Sequence, residues 1–238
     1  MSSSSTPIRL ISIEGNIGSG KSTFLHMLRK YSWDVNVEFV PEPVSEWEKI
    51  KDTTTNTTML EMFYKDQERN AFSFQMMAYI TRLTYIRNSI DTVLSRFPNP
   101  TEDKPIVLVM ERCLDTDRNI FAKMLYDDGK IREVDYQIYM KWFDEFIKDL
   151  PKPTIVYVNT DPEVCSDRIR RRMRSGEEGI PLEYLSCCHK YHEEWIGGTG
   201  YPVIELNGND ERDKSVDSSY DDWISRVEYI VKNGKVDE

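Results

Sequence analysis

The sequence predicts an α/β fold, a parallel five-stranded sheet with helices on both faces, and three observations lead there. The run Gly15-Asn16-Ile17-Gly18-Ser19-Gly20-Lys21-Ser22 matches the phosphate-cradling pattern GxxxxGK[ST] and lies between a strand-like and a helix-like stretch. Short, nearly continuous apolar runs alternate with longer amphipathic stretches, as in a parallel sheet covered on both faces. Charged residues close two of those runs, Glu42 one proline beyond one and Glu111-Arg112 directly after another, at the strand ends where open α/β sheets place their ligands.

Taken in order, Ile8 to Ile13 is a β-branched run that stops at Glu14-Gly15, so residues 1–7 read as a flexible N-terminus and 8–238 as a single domain. The glycine-rich turn leads into Thr23-Phe24-Leu25 with helical spacing. Val35 to Val40 is the second strand, ended by Pro41-Glu42-Pro43. Phe72, Met76, Tyr79, Leu83, Ile86, Ile90, Val93 and Phe97 then recur at gaps of three and four, which predicts one long amphipathic helix. Ile106 to Met110, Thr154 to Val158 and Val203 to Leu206 are the remaining strands. Asp161-Pro162-Glu163 predicts a helix start with an acidic N-cap and proline at the first position. Asn207 to Ser219 reads as a loop before a last helix ending near Val231.

Composition excludes several classes. No apolar run approaches the roughly 20 residues of a membrane-spanning helix, which predicts a soluble protein that engages no membrane. A formal net charge of −10 repels phosphate polymers, so no nucleic-acid partner is expected. Cys113, Cys165, Cys187 and Cys188 form no CxxC pair and read as reduced thiols. The opening MSSSSTPIR has no secretory apolar core and no arginine-rich transit helix, which predicts a cytoplasmic protein.

The candidate chemistry starts at the loop. Backbone N–H groups from Gly15 to Thr23 can surround phosphate oxygens, Lys21 can reach the β and γ phosphates, and Ser22 can ligate Mg²⁺. The sequence has no guanine-reading NKxD motif, and the loop lacks the proline usual in adenylate-type kinases, which leaves a small-molecule kinase. Glu42, held extended between two prolines, can accept the proton of an attacking hydroxyl. Glu111 is placed to approach Mg²⁺ directly or through water, and Arg112 to neutralise either Glu42 or the transferred group. Arg168, Arg172 and Arg174 stand in an arginine cluster before a glycine-bounded loop, arranged to close on a triphosphate; a solvated basic face or a localisation patch is the bland alternative. Gln75, Ala78 and Arg82 form a partly polar edge of the long helix, with Gln and Arg able to pair with a base edge, or simply an ordinary helix flank. The crowded Cys187, Cys188, His189 and His192 lack the separated ligand pairs of a zinc site and read as packing.

Over nearly its whole length the chain resembles the deoxynucleoside kinases, specifically their deoxycytidine and deoxyguanosine kinase branch. The motifs that carry this are ISIEGNIGSGKST, VPEPVSEW, FYKDQERNAFSFQ, ERCLDTDRNIFA, RRRMRSGEEGIPLEYL and HEEW. The resemblance implies the P-loop kinase fold with an arginine-bearing lid, ATP with Mg²⁺ as donor, and a deoxynucleoside acceptor in nucleotide salvage. It implies Glu42 as general base with Arg112 beside it at the 5′-hydroxyl, and Tyr64 and Glu177 at the sugar 3′-hydroxyl. It further implies Gln75 on the base, Phe74 stacked on it, and Trp47 and Phe121 as walls. The combination Ala78, Arg82 and Asp117 resembles the deoxycytidine kinase pattern, favouring deoxycytidine and purine deoxynucleosides over thymidine. Homodimers through a helix bundle are typical of such proteins. Cys113 stands where the family often has serine, and Gly176 at a lid position that is acidic in some members. A nucleoside-monophosphate kinase, or a non-catalytic nucleotide-binding member of the same fold, are the alternatives.

Overall fold

The computed structural model describes residues 8–101, 104–173, 177, 179–212 and 217–236, so the expectation of a flexible stretch at 1–7 lies outside the described residues. Its elements are β1 (Ile8–Glu14), α1 (Lys21–Lys30), β2 (Asn36–Val40), α2 (Val44–Trp47), α3 (Met59–Lys65) and α4 (Gln67–Arg96). These are followed by β3 (Ile106–Glu111), α5 (Leu114–Thr116), a π-helical turn (Asp117–Ala122), α6 (Lys123–Asp127) and α7 (Glu133–Phe146). β4 (Pro153–Asn159), α8 (Pro162–Arg172), α9 (Leu182–Gly198), β5 (Val203–Asn207), a 3₁₀ turn (Asp217–Tyr220) and α10 (Asp221–Asn233) complete it.

The five strands form one parallel sheet in the order β2-β3-β1-β4-β5. Parallel pairing puts every strand's carboxyl end on the same edge. Ile13 lies beside Glu111 and Glu14 beside Tyr157, which brings the phosphate loop, the residues after β3 and those after β4 together. Side chains alternate across the sheet. Ile11, Ile13, Val107 and Val109 pack on one face with Phe24 and Leu28 of α1 and Trp223 and Val227 of α10. Leu10, Leu108 and Met110 pack on the other, with Tyr79, Leu83 and Ile86 of α4 and Tyr139 and Phe143 of α7. The whole predicted stripe from Phe72 to Phe97 joins this second cluster, so the 30-residue α4 is a single buried-faced helix.

The structure differs from the local reading at several element ends. β1 and β3 run one residue further than their apolar runs, to Glu14 and Glu111, because neighbouring strands continue the pairing past the last apolar residue. β2 starts at Asn36, not Val35, and β4 gains Pro153 and Asn159. Asp161 stands at the N-cap of α8 with Pro162 opening the helix, as its sequence predicts; its carboxylate makes no cap hydrogen bond, and its backbone N–H donates to Asn209 Oδ1 at 2.8 Å. Asn207 to Ser219 is not all loop, since Asn207 pairs in β5 against Asn159 and a 3₁₀ turn begins at Asp217. No described helix is long and apolar enough to cross a membrane.

Candidate active site

The phosphate loop depends on glycine at two close approaches. Gly15 and Gly18 have φ of +141° and +80°, and a Cβ there would stand 2.5 Å from Val158 O and 2.6 Å from Cys165 O. The loop is therefore pressed against β4 and α8, and α1 begins at Lys21, putting its positive dipole end at the loop. Ser19 O accepts from Thr160 Oγ1 at 3.2 Å and from Arg168 Nη1 at 3.1 Å. Lys21 Nζ donates to Asn16 O at 2.6 Å. Burial, seconded by the Arg112 charge, lowers the Lys21 ammonium to about 7. Ser22 Oγ donates to Glu111 Oε1 at 2.8 Å.

At the adjoining strand ends, charges of both signs are taken out of water together. Arg112 Nη1 donates to Glu42 Oε1 at 2.7 Å and Nη2 to Gly15 O at 3.2 Å. Arg82 reaches up from α4, donating through Nε to Asp117 Oδ2 at 2.9 Å, through Nη1 to Glu111 O at 2.8 Å and through Nη2 to Glu42 Oε1 at 3.2 Å. Burial pushes the Glu42 carboxyl up, but Arg112, Arg82 and Lys21 together outweigh it and hold Glu42 well below the usual carboxylate range. Asp117 goes the other way: burial raises it against the opposing pull of Arg82. Gln75, Ala78 and Arg82 are all buried, and the Arg82 guanidinium is engaged by acids and a carbonyl, because α4 lies beneath the carboxyl edge of the sheet.

These groups share one cavity of about 650 Å³. Its lining includes the loop from Ile17 to Thr23, then Glu42, Trp47, Tyr64, Phe74, Gln75, Ala78, Arg82, Glu111, Arg112, Asp117, Phe121, Arg168, Arg172 and Glu177. Trp47 meets the Phe74 ring edge-on at 5.7 Å, and Phe63 covers one face of Phe74 at 4.4 Å. Phe121 lies under the Arg112 guanidinium at 5.2 Å. Gln75 Oε1 is buried without a hydrogen-bond partner among the described residues. Arg172 pairs with Glu177. Two loop residues do not line the cavity: Gly15 is packed on β4, and the Asn16 side chain turns away to donate to Leu185 O at 2.8 Å. Arg174 and Gly176 lie outside the described residues.

A family model described as deoxynucleoside kinase matches residues 11–232. The chain belongs to the deoxynucleoside kinase family. It is 39% identical to the deoxycytidine kinase of Mus musculus over 210 residues, covering 82% of this chain and 78% of the mouse protein. It is 37% identical to the deoxycytidine kinase of Homo sapiens over 210 residues, covering 82% of this chain and 78% of the human protein. Against the Homo sapiens protein named thymidine kinase 2, mitochondrial, identity is 37% over 212 residues, covering 85% of this chain and 72% of that one.

Sequence reasoning overlooked part of this kinase's cavity. Leu60, Phe63 and Tyr184 complete the aromatic end, and Gly208, Asp210, Glu211, Arg212, Tyr220 and Trp223 line the opposite end. Arg212 stacks on Trp223 at 4.3 Å and is ion-paired to Asp222 at 2.7 Å. Gly208 was the available signal, a glycine just after an apolar strand: a Cβ there would fall 2.0 Å from Thr160 Oγ1. The four cysteines are all free, and among the described residues no group of three or more His, Cys, Asp or Glu is arranged to hold a metal.

Proposed function

We propose that this kinase transfers the γ-phosphate of ATP to the 5′-hydroxyl of a deoxynucleoside, with deoxycytidine and the purine deoxynucleosides favoured over thymidine. The observation that carries the reading is the continuity of the cavity, which joins the phosphate loop to the Glu42–Arg112 pair and the aromatic end beyond it.

The triphosphate binds along Ile17–Thr23, with Lys21 on its terminal oxygens and Arg168 and Arg172 closing over it. The acceptor's base lies between Phe74 and Phe121, with Trp47 as a wall. The unpartnered Gln75 Oε1 accepts from an amino donor of the base. Tyr64 and Glu177 hold the 3′-hydroxyl. The buried Arg82–Asp117 ion pair, with the small Ala78 on the same helix, is the combination similar to the deoxycytidine kinase pattern, which supports the base preference.

Glu42 is ionised at neutral pH and takes the hydrogen bond of the 5′-hydroxyl, aiming its lone pair at the γ-phosphorus. A carboxylate held this low is a weak base, which suits phosphoryl transfer, where the loose transition state demands little proton abstraction before the bond to phosphorus forms. Arriving phosphates draw Arg112 towards themselves, and Glu42 becomes more basic as transfer proceeds. Ser22 Oγ and Glu111 Oε1, 2.8 Å apart, are hard oxygen donors of the kind Mg²⁺ takes alongside phosphate and water. Ser22 would hold the ion directly and Glu111 directly or through water; when bound, it neutralises charge on the β and γ oxygens.

The exposed apolar side chains Ile80 on α4 and Val134, Ile138 and Trp142 on α7 support a homodimer built on these helices. We assign the single domain at 8–238 to the cytoplasm and its reaction to nucleotide salvage.

Purified protein with Mg-ATP and each of the four deoxynucleosides, with dCMP alongside, tests this by chromatography of the products. A 5′-monophosphate from deoxycytidine is expected, and no product from any nucleoside overturns the reading. Glu42→Gln should retain ATP binding and lose about 10²-fold in turnover; unchanged turnover removes Glu42 from the role.

A further inference from the structure

Arg112 has φ of +62°, in the left-handed region that arginine seldom enters, so its surroundings must hold it there. The residues that do so are consecutive. Arg112 N donates to Ile13 O at 3.1 Å, and its guanidinium donates to Gly15 O at 3.2 Å. Between these two carbonyls stands Glu14, fully buried, whose side chain turns to the same segment. Its Oε1 accepts from Cys113 N at 2.9 Å and from Ser12 Oγ at 2.5 Å, and its Oε2 accepts from Thr116 Oγ1 at 2.6 Å.

We propose that Glu14 is a positioning residue for transfer, acting through Arg112; the inference rests on the kinase reading above. A carboxylate offers two oxygens in one plane, and here they take the backbone N–H just after Arg112 and a hydroxyl one helical turn on. That fixes the peptide on the carboxyl side of Arg112, while Ile13 O fixes the amide on the other side. With its backbone pinned at both ends, Arg112 has one way to reach Glu42 and Gly15 O together. The same grip fixes the start of the segment that carries Asp117 and Phe121, so the acceptor end of the cavity is set from β1. None of these three contacts touches the cavity, and Glu14 does not line it.

A bulk structural role and a positioning role differ in what they couple to. Glu14→Ala takes from the Cys113 N–H and from the Ser12 and Thr116 hydroxyls the carboxylate they donate to, and frees the turn. We expect turnover to fall at least about 30-fold while ATP affinity, measured by calorimetry, stays within about threefold. Glu14→Gln keeps the Cys113 acceptor, and its amide can donate to Thr116 Oγ1, so it should recover turnover to within about fivefold of wild type. The deciding measurement is the cycle with Arg112→Ala: in that background Glu14→Ala should cost less than about threefold more. Losses that multiply in both backgrounds, or ATP affinity falling in step with turnover, overturn the proposal. If Glu14→Ala does not fold, Thr116→Val, which removes one donor to the same carboxylate, takes its place in the cycle. The ¹⁵Nε–H resonance of the buried Arg112 is a readout independent of turnover: sharp in wild type, it should broaden in Glu14→Ala. Wild-type protein that shows this resonance but makes no monophosphate refutes the kinase reading alone, whereas active protein whose resonance and turnover ignore Glu14 refutes this one alone.

Discussion

Binding of ATP should draw a proton from solution, and the size of the effect follows from the surroundings of Lys21. Its ammonium is buried and held by two dipoles, Asn16 O at 2.6 Å and Ser19 Oγ at 3.4 Å, while Glu111 is engaged by Ser22 and Glu42 by two arginines. Burial, with Arg112 adding to it, lowers Lys21 to about 7. At pH 8 about one free molecule in ten then carries the proton on Lys21. Triphosphate oxygens at the ammonium restore the charged form, so each ATP bound should take up about 0.9 proton. Calorimetric titration at pH 8 in buffers of small and large ionisation enthalpy reads that number as the slope of observed heat against buffer enthalpy. Apparent ATP affinity should also fall about tenfold from pH 8 to pH 9. Lys21→Met should abolish the slope while leaving weaker binding. A slope of zero in the wild-type protein would refute the reasoning, since it would mean that Lys21 stays charged without its ligand.

Gly208→Ala would drive a methyl into Thr160, whose hydroxyl holds the phosphate loop at Ser19 O; it should cost about 1–3 kcal/mol of stability and raise the KM for ATP more than that for the nucleoside, checked by urea unfolding and initial rates. Burial pushes His192 down to about 3, with Nδ1 2.6 Å from Cys188 O. A folded-state value below the unfolded one gives stability that is complete above pH 6.5 and lost as pH falls towards 3, by up to about 1.4 kcal/mol per unit. Urea midpoints from pH 7 to pH 5 should therefore drop in the wild type and flatten in His192→Gln. Ile138→Glu with Trp142→Glu should convert a dimer to a monomer in sedimentation without lowering single-chain thermal stability by more than about 1 kcal/mol, both side chains being exposed in the single chain.

Much of the fold is legible in the letters because its causes are local. The phosphate loop is one continuous stretch, and its glycines are required by positive φ and by carbonyls that a Cβ would strike. Strand cores and the α4 stripe announce themselves through apolar spacing, and Glu42 through the prolines that flank it. The misreadings lie where a residue's state depends on a distant partner. The sequence left Arg82 between a site residue and a plain helix flank because its acids, Glu42 and Asp117, are 40 and 35 positions away.

What the sequence determined by itself was the sheet, the donor loop and the list of charged groups at strand ends, since backbone preference and side-chain periodicity act over a few residues. What only the tertiary structure decided was which charge meets which: Glu42 between two arginines, Glu14 turned onto the Arg112 segment, and Gly208, Arg212 and Trp223 lining the far end of the cavity. Parallel pairing brings together residues more than a hundred positions apart. Only then do burial and Coulomb attraction, which act through space and not along the chain, select among their possible partners.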